Sequence, residues 1–467
     1  MRKISLILLS VLTVLMISCS TDTSQKSAKE TTFEARDLFP EPPRPDGQED
    51  VIELKCDPIE TVRIAFIGLG MRGSGAIHRY TFLEGVEIVA LCDVVPENVE
   101  RSQQKLLEKG FPRADEYTGA EDWKIICERD DIDLIYVCTH WDLHTPIAVY
   151  AMEHGKHVAT EVPAALTIDE CWQLANTAEL TRKHCMQLEN CNYDFFEIAT
   201  LNMAQQDLFG EIVHCEGAYI HDLRWLNFDE ETGYWDMWRL KHLEEKDGNT
   251  YPTHGFGPIC HIMNIHRGDK MNYITSMSSD QFGMTAYAKE KFGEDSDYAQ
   301  RDYKKGDINT SLIKTENGKT IMLQHDVTSP RPYSRLHTVS GTKGFAQKYP
   351  KKGIALEPNA HHFLSQNQLD SLLKLYTHPI VRDIEAKAKE VGGHGGMDFI
   401  MDYRLIYCLR NGLPLDQDVY DAAEWSSIIE LSRKSVENQS MPVKVPDFTR
   451  GAYKKVDEVT YFTNDGK

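Results

Sequence analysis

Residues 62–93 read VRIAFIGLGMRGSGAIHRYTFLEGVEIVALCD, and this stretch decides the fold. Val62–Ile67 is rich in β-branched and aromatic residues, the composition of a strand buried in a parallel sheet. Gly68, Gly70 and Gly73 follow at GxGxxG spacing, and Ser74–Leu83 has a helical pattern. A second apolar run, Val86–Cys92, ends at Asp93. The spacing suits a dinucleotide site. Gly68 permits the tight turn, Gly70 lets the backbone approach a pyrophosphate, and Gly73 lets helix and strand pack closely. The helix N-terminus presents unpaired N–H groups to the phosphates, and Met71 and Arg72, which follow the glycine turn, should lie by the pyrophosphate. Asp93 follows Gly73 by twenty residues. There its carboxylate would accept the ribose hydroxyls and repel the extra phosphate of NADP, so NAD is the expected cofactor.

Strands and helices alternate onward from Asp93. Pro96–Gly110 reads as a helix and Ile132–Thr139 as a strand running into His140-Trp141-Asp142-Leu143-His144-Thr145-Pro146. Ile147–His154 is helical, and Lys156–Thr160 is a strand followed by Glu161-Val162-Pro163. Thr167 and Glu170 form a capping box for a helix reaching Lys183, and Met186–Glu189 is a strand ending at Asn190. This is the pattern of a doubly wound parallel sheet over residues 60–190. Trp141, His144, Glu161, Val162 and Asn190 stand at strand carboxyl ends, where such sheets bind ligands, and are expected to line the cofactor site.

Beyond 190 the pattern changes. A helix over Phe195–Asp207 precedes strand-like runs at Glu211–His221, Tyr273–Ser278, Thr310–Lys314, Thr320–Val327 and Leu336–Gly341, with a turn at Asn317-Gly318. Met397–Arg410 and Val419–Ser435 read as helices over that sheet. The expected fold class is therefore α/β: an N-terminal Rossmann dinucleotide-binding domain, then a C-terminal α+β domain with a mostly antiparallel sheet over 191–467.

The chain has 467 residues, 41% of them hydrophobic, and a net charge of −21 from 51 Lys+Arg and 72 Asp+Glu. No basic surplus exists to neutralise phosphates, which argues against a nucleic-acid partner. Residues 1–19 combine a basic Arg2-Lys3 start, an apolar Ile4–Ile17 segment and Ser18-Cys19. That order resembles a bacterial lipoprotein signal, with Cys19 as the lipidated residue and the protein anchored in the cell envelope, periplasmic or outer-membrane. Residues 20–59 are polar and proline-bearing and read as a flexible tether. The eleven cysteines are irregularly spaced, several within apolar runs, so buried free thiols are expected and no metal site.

Six stretches carry a resemblance: GLGMRGSG from Gly68, WDLHTP from Trp141, TEVPAALTIDECWQL from Thr160, YWDMWRL from Tyr234, YPTHGFGPICHIMNIHRGD from Tyr251 and GGHGGMDFIMDYRL from Gly392. Together with the Rossmann start they resemble the Gfo/Idh/MocA oxidoreductase superfamily and, more closely, glycoside hydrolase family 109, the NAD-dependent α-N-acetylgalactosaminidases. The resemblance implies hydrolysis of terminal α-linked N-acetylgalactosamine by oxidation at carbon 3, loss of the carbon 2 proton with the glycosidic oxygen, water addition and reduction, with NAD recycled. Such a cycle does not need the usual pair of catalytic carboxylates. It implies catalytic roles for His254, Tyr251 and Tyr219, and substrate contacts from Tyr219, Arg239, Tyr251, His254 and Tyr333. The superfamily's dehydrogenases often carry Glu-Lys-Pro, with the lysine relaying a proton; here Val162 takes that place. Two other readings stand beside the glycosidase: an NAD-dependent sugar dehydrogenase, which Val162 weighs against, and a sugar-binding lipoprotein, which the intact Gly68/Gly70/Gly73/Asp93 set weighs against. His394 is open between a site residue and a helix-entry turn, and a homo-oligomer is left open.

Overall fold

The computed structural model describes residues 34–464. The signal segment, Cys19 and the first part of the tether lie outside the described residues.

The first sheet has six parallel strands: β1 (Val62–Ile67), β2 (Val86–Cys92), β3 (Asp115–Tyr117), β4 (Leu134–Val137), β5 (His157–Thr160) and β6 (Cys185–Gln187). Their order is β3-β2-β1-β4-β5-β6. The chain therefore reverses direction across the sheet between β1 and β4, and the crevice outside their carboxyl ends is the ligand position of this topology. The helices α1 (Met71–Tyr80), α2 (Pro96–Glu108), α3 (Asp122–Cys127), α4 (His144–Glu153) and α5 (Ile168–Thr181) make the crossovers. Every residue of β4 and β5 is buried, as a strand covered on both faces must be. The Thr167–Glu170 capping box is formed in full.

The second sheet has eight strands: β7 (Ile212–Ile220), β8 (Met271–Ser278), β9 (Ile308–Thr315), β10 (Thr320–Asp326), β11 (Ser334–Gly341), β12 (Gly344–Gln347), β13 (Gly353–Leu356) and β14 (Val443–Lys444). The order is β13-β12-β11-β7-β10-β9-β8-β14, antiparallel except for the parallel β7–β10 pair. Gly318, at φ +87°, turns β9 into β10. The helix Thr253–Ile262 lies on β7 almost backbone to backbone. A Cβ on Gly217 would stand 2.2 Å from the Gly255 carbonyl oxygen, and one on Gly255 2.2 Å from the Ala218 nitrogen. Only glycine at both positions permits this approach.

Two sequence expectations are corrected. The helix Met397–Asn411 does not cover the second sheet; it packs on α1 and β1 of the first. The cause is a buried polar cluster, in which Arg79 Nε donates to Asp402 at 2.6 Å and the Tyr136 hydroxyl donates to the same carboxylate at 2.9 Å. From Arg36 onward the tether is laid along the body. Arg36 bridges to Val443 beside β14, Val51 is buried, and its N–H donates to the Tyr420 hydroxyl. Arg44 forms a two-bond fork with Glu179, whose side chain is 0% exposed and which also takes Arg450 and Tyr420. A proline-rich composition reads as linker, but these few apolar and charged residues have buried partners that composition does not reveal.

A chain beginning at residue 58 is therefore expected to melt below one beginning at residue 34. Removing a partner of a buried carboxylate costs about 3 kcal/mol or more, which is roughly a few degrees in a chain of this size. Calorimetry of the two chains checks this, and equal melting temperatures would show that the segment holds nothing together.

Candidate functional site

The glycine turn between β1 and α1 is built for close approach. Gly68, at φ +89°, rests on the backbone after β4: a Cβ there would be 2.5 Å from the Cys138 carbonyl. A Cβ on Gly73 would be 1.9 Å from the Gly68 oxygen, so helix and turn touch. Gly70 has nothing within 4 Å of its Cβ position, leaving its open side to a ligand. The first turn of α1 carries no acid, and Met71 stands exposed beside it. Asp93, at the end of β2, accepts the Leu69 N–H at 2.6 Å and the Val95 N–H at 2.8 Å, which sets its carboxylate against the turn. These features fit the pyrophosphate and ribose of a dinucleotide.

Arg72 leaves the turn and ties three elements together. Its Nε donates to Glu161 at 2.8 Å and its Nη1 to Asp398 at 3.2 Å, with His394 Nδ1 at 3.4 Å. Asp398 is a buried hub. It also accepts from Asn190 Nδ2 and lies 3.5 Å from Arg79. Burial pushes its carboxyl up, but the His394 hydrogen bond, Arg72 and Arg79 outweigh burial and hold it well below the usual range. Arg72, Asn190 and His394 thus meet on one carboxylate that sequence reasoning did not select, and Arg72 ties Glu161 to it. The signal was present: an acid in the first helical turn after Gly392-Gly393-His394-Gly395-Gly396.

His144 is buried, with Nδ1 2.7 Å from the Pro163 carbonyl and Nε2 3.0 Å from that of Thr139. Both nitrogens are spent on backbone, so the ring fixes the loops after β4 and β5. Val162 sits in an apolar cluster with Trp141, Leu166, Tyr219 and Tyr251. The cofactor loops and the second sheet therefore share one wall.

Across that wall stand the expected sugar ligands. His254 Nδ1 lies 2.8 and 2.9 Å from the two oxygens of Glu189, at the end of β6. Its Nε2 is 3.4 Å from the Tyr251 hydroxyl. Glu189 is wholly buried; burial pushes its carboxyl up, but His254 and the Cys191 N–H hydrogen bond prevail and hold it low. Sequence reasoning missed Glu189, which is 65 residues from its partner and looks like the end of a strand. Gly257 shows the constraint, since a Cβ there would be 2.9 Å from Glu189 Cγ.

Tyr219 packs on Tyr251 at 4.7 Å and on His254 at 5.4 Å between ring centroids. Burial pushes the Tyr219 phenol up to about 12 and Tyr251 well above its usual value, so both are protonated donors at neutral pH. Arg239 is held among the rings of Trp141, Tyr234 and Tyr251 at 4.8–5.2 Å, with Nη1 on the Tyr234 hydroxyl. Its Nη2 is buried without a hydrogen-bond partner among the described residues. Tyr333 is at the rim, 38% exposed and 6.4 Å from Tyr219.

Metal-ligating side chains come together among the described residues at Glu189, Cys191 and His254, and at His266, Asp418 and Asp421. In each set the imidazole already bonds a carboxylate, His254 that of Glu189 and His266 that of Glu424. The ten cysteines among the described residues are free thiols.

Comparison with known proteins agrees with this geometry. Residues 62–188 match the family model of the oxidoreductase family, NAD-binding Rossmann fold, and residues 193–455 match that of the glycosyl hydrolase 109 C-terminal domain. The chain belongs to glycosyl hydrolase family 109. It is 58% identical to the α-N-acetylgalactosaminidase of Bacteroides fragilis over 88% of this chain and 97% of that one. It is 50% identical to glycosyl hydrolase family 109 protein 1 of Bacteroides thetaiotaomicron over 97% of each chain. Among solved structures, levoglucosan dehydrogenase with NADH and L-sorbose aligns at TM-score 0.62 and 17% identity, covering 83% of this chain and all of that one. The aldose-aldose oxidoreductase of Caulobacter crescentus aligns at 0.59 and 16%, over 82% of this chain and all of that one. At such identities the likeness is one of fold.

Because Glu189 fixes the His254 ring, Glu189→Gln is expected to lower kcat by roughly 10²–10⁴-fold, the span of general acid–base catalysis, with bound NAD retained. Steady-state rates alongside NAD content check this; an unaltered kcat would remove Glu189 from the proton-handling set.

Proposed function

We propose that this chain is an α-N-acetylgalactosaminidase that hydrolyses terminal α-linked N-acetylgalactosamine through oxidation, elimination, water addition and reduction, with NAD recycled in each turnover. The observation that carries the reading is an exchange of proton-handling groups. A buried valine, Val162, stands where the superfamily's dehydrogenases often place a lysine, and the Glu189–His254–Tyr251 array faces it across the pocket. The name and identity of the Bacteroides fragilis relative support the same substrate.

NAD, when bound, supplies a hydride acceptor for carbon 3 of the sugar and returns the hydride at the end. The Gly68–Gly73 turn and Asp93 would hold its pyrophosphate and ribose, and Arg72 with Glu161 and Asp398 stiffens the adjoining loops. A ketone at carbon 3 acidifies the carbon 2 hydrogen, and its removal expels the glycosidic oxygen. His254 supplies the lone pair of the set: Nδ1–H is committed to Glu189, and Nε2 faces the pocket. Tyr251 and Tyr219, held protonated by burial, are the donors. Arg239 offers its unpaired Nη2–H to a sugar hydroxyl or the acetamido carbonyl.

Deuterium at carbon 2 of an aryl α-N-acetylgalactosaminide is therefore expected to wash out into water during turnover, and His254→Ala and Tyr251→Phe to lose roughly 10²–10⁴-fold in the chemical step. Mass spectrometry of the product, with chromophore release and NADH absorbance followed together, checks both. Full retention of the deuterium would overturn the cycle. Stoichiometric accumulation of NADH would turn the reading into that of a sugar dehydrogenase.

The location is part of the same proposal. Ser18-Cys19 after the apolar Ile4–Ile17 segment supports a protein lipidated on Cys19 and anchored in a bacterial envelope. No helix among the described residues is long and apolar enough to cross a membrane. Mass spectrometry of the mature N-terminus is expected to find lipid-modified Cys19; an unmodified N-terminus elsewhere would discard the anchor.

A further inference from the structure

The site contains a second tyrosine–histidine pair, whose histidine has no role in the scheme above. The Tyr219 hydroxyl is 3.0 Å from His221 Nδ1, two residues on and past the end of β7. The pair runs from the inside outwards. Tyr219 is 7% exposed and packs on Tyr251 and His254. His221 is half-buried and meets the rim residue Tyr333 edge to face at 5.1 Å. His221 Nε2 has no hydrogen-bond partner among the described residues. The neighbouring carboxylate does not restrain the ring, because Asp222 is engaged through both oxygens by Arg224 at 2.8 Å.

The cycle needs two kinds of proton transfer at once. His254, backed by a buried anion, is suited to taking a proton from carbon. Something must also give one to the departing aglycone oxygen, and that donor must be refilled from solvent. The first pair cannot serve both ends, since Glu189 closes its inner side. We propose that Tyr219 protonates the leaving glycosidic oxygen and that His221 is the positioning residue that refills it from water. The inference rests on the function proposed above. As the C1–O bond breaks, its electron pair goes to the aglycone oxygen, which takes the Tyr219 proton. Tyr219 oxygen takes the proton on His221 Nδ1, and His221 Nε2 takes one from water. Burial, with Arg239 and His254, pushes the His221 imidazole below its usual value, so it passes a proton on rather than storing it.

A donor to the leaving group matters in proportion to how poorly that group leaves. The test is a series of α-N-acetylgalactosaminides from 2,4-dinitrophenyl through 4-nitrophenyl and phenyl to methyl, with wild type, His221→Ala and Tyr219→Phe. For His221→Ala the loss in kcat/KM is expected to reach roughly 10²–10³-fold on the methyl glycoside, and to be at least tenfold smaller on the dinitrophenyl one. Added imidazole should recover part of the loss. Tyr219→Phe should give the same steepened dependence, with no further steepening in the double variant. A loss uniform across the series in both variants, or additive steepening, would overturn the relay. Should His221→Ala not fold, His221→Gln with Tyr219→Phe decides on the same criterion. Carbon 2 washout in the wild type separates the two levels: retained deuterium sinks the cycle, whereas washout with uniform losses sinks only the relay.

Discussion

The site depends on one close contact, the backbone of the helix Thr253–Ile262 against β7 through Gly217 and Gly255. A methyl group at either position would push helix and strand apart by an ångström or more. Tyr219 is two residues past Gly217 on the strand, while Tyr251 and His254 lie just before Gly255. Their separation is therefore set by backbone packing rather than by side-chain rotamers. Gly257 repeats the device on the other side, letting Glu189 and Asn192 meet the same helix. Two glycines at the start of one buried helix, with Gly217 on β7, thus join the carboxyl end of the first sheet to the face of the second. Glycine costs helix stability, and here that cost is offset by the fixed spacing of Tyr219, Tyr251 and His254.

A second constraint is electrostatic. Asp398, Arg79, Asp402, Arg72 and Glu161 bring alternating charges into the seam between α1 and the helix Met397–Asn411. Buried ion pairs are poor sources of stability, because desolvation consumes most of their attraction. Their effect here is positional. Charges fixed on one another leave the loops after β1, β5 and β6 few alternative arrangements, and those loops flank the cofactor crevice. The chain also crosses back, since Met397–Asn411 returns from the second sheet to pack on the first, so the two sheets cannot part without exposing these ions.

The parallel sheet was legible in the sequence because its signals are local. A GxGxxG turn, a strand before it and an acid after the next strand all fall within Val62–Asp93. Tyr219, Arg239, Tyr251 and His254 were legible through the family's motifs, and they do come together. Glu189 and Asp398 were not, because each derives its meaning from a partner far along the chain: His254 for the first, Arg72 for the second. A carboxylate that ends a strand or opens a helix reads as ordinary until its environment is known. Arg44 and Val51 failed for the same reason in reverse, since polar, proline-rich surroundings hid two residues with buried partners. The helix Thr253–Ile262, with two glycines and a proline, has too poor a propensity to be read as a helix at all.

Val162 links the chemistry to this packing. An apolar wall of Trp141, Val162, Leu166 and Leu240 lies against Tyr219 and Tyr251. In so dry a setting a charged group is penalised and a neutral one is not. An ammonium at 162 would be penalised in this wall unless it drew a neighbouring carboxylate, such as Glu161, from its present partner. With valine there, the phenols stay neutral and the Glu189 charge is spent wholly on orienting one imidazole. The same dryness keeps water from intercepting a reactive keto sugar before its leaving group departs. Oxidation at carbon 3 still frees the hydroxyl proton, so with valine at 162 that proton too falls to His254, Tyr251 and Tyr219.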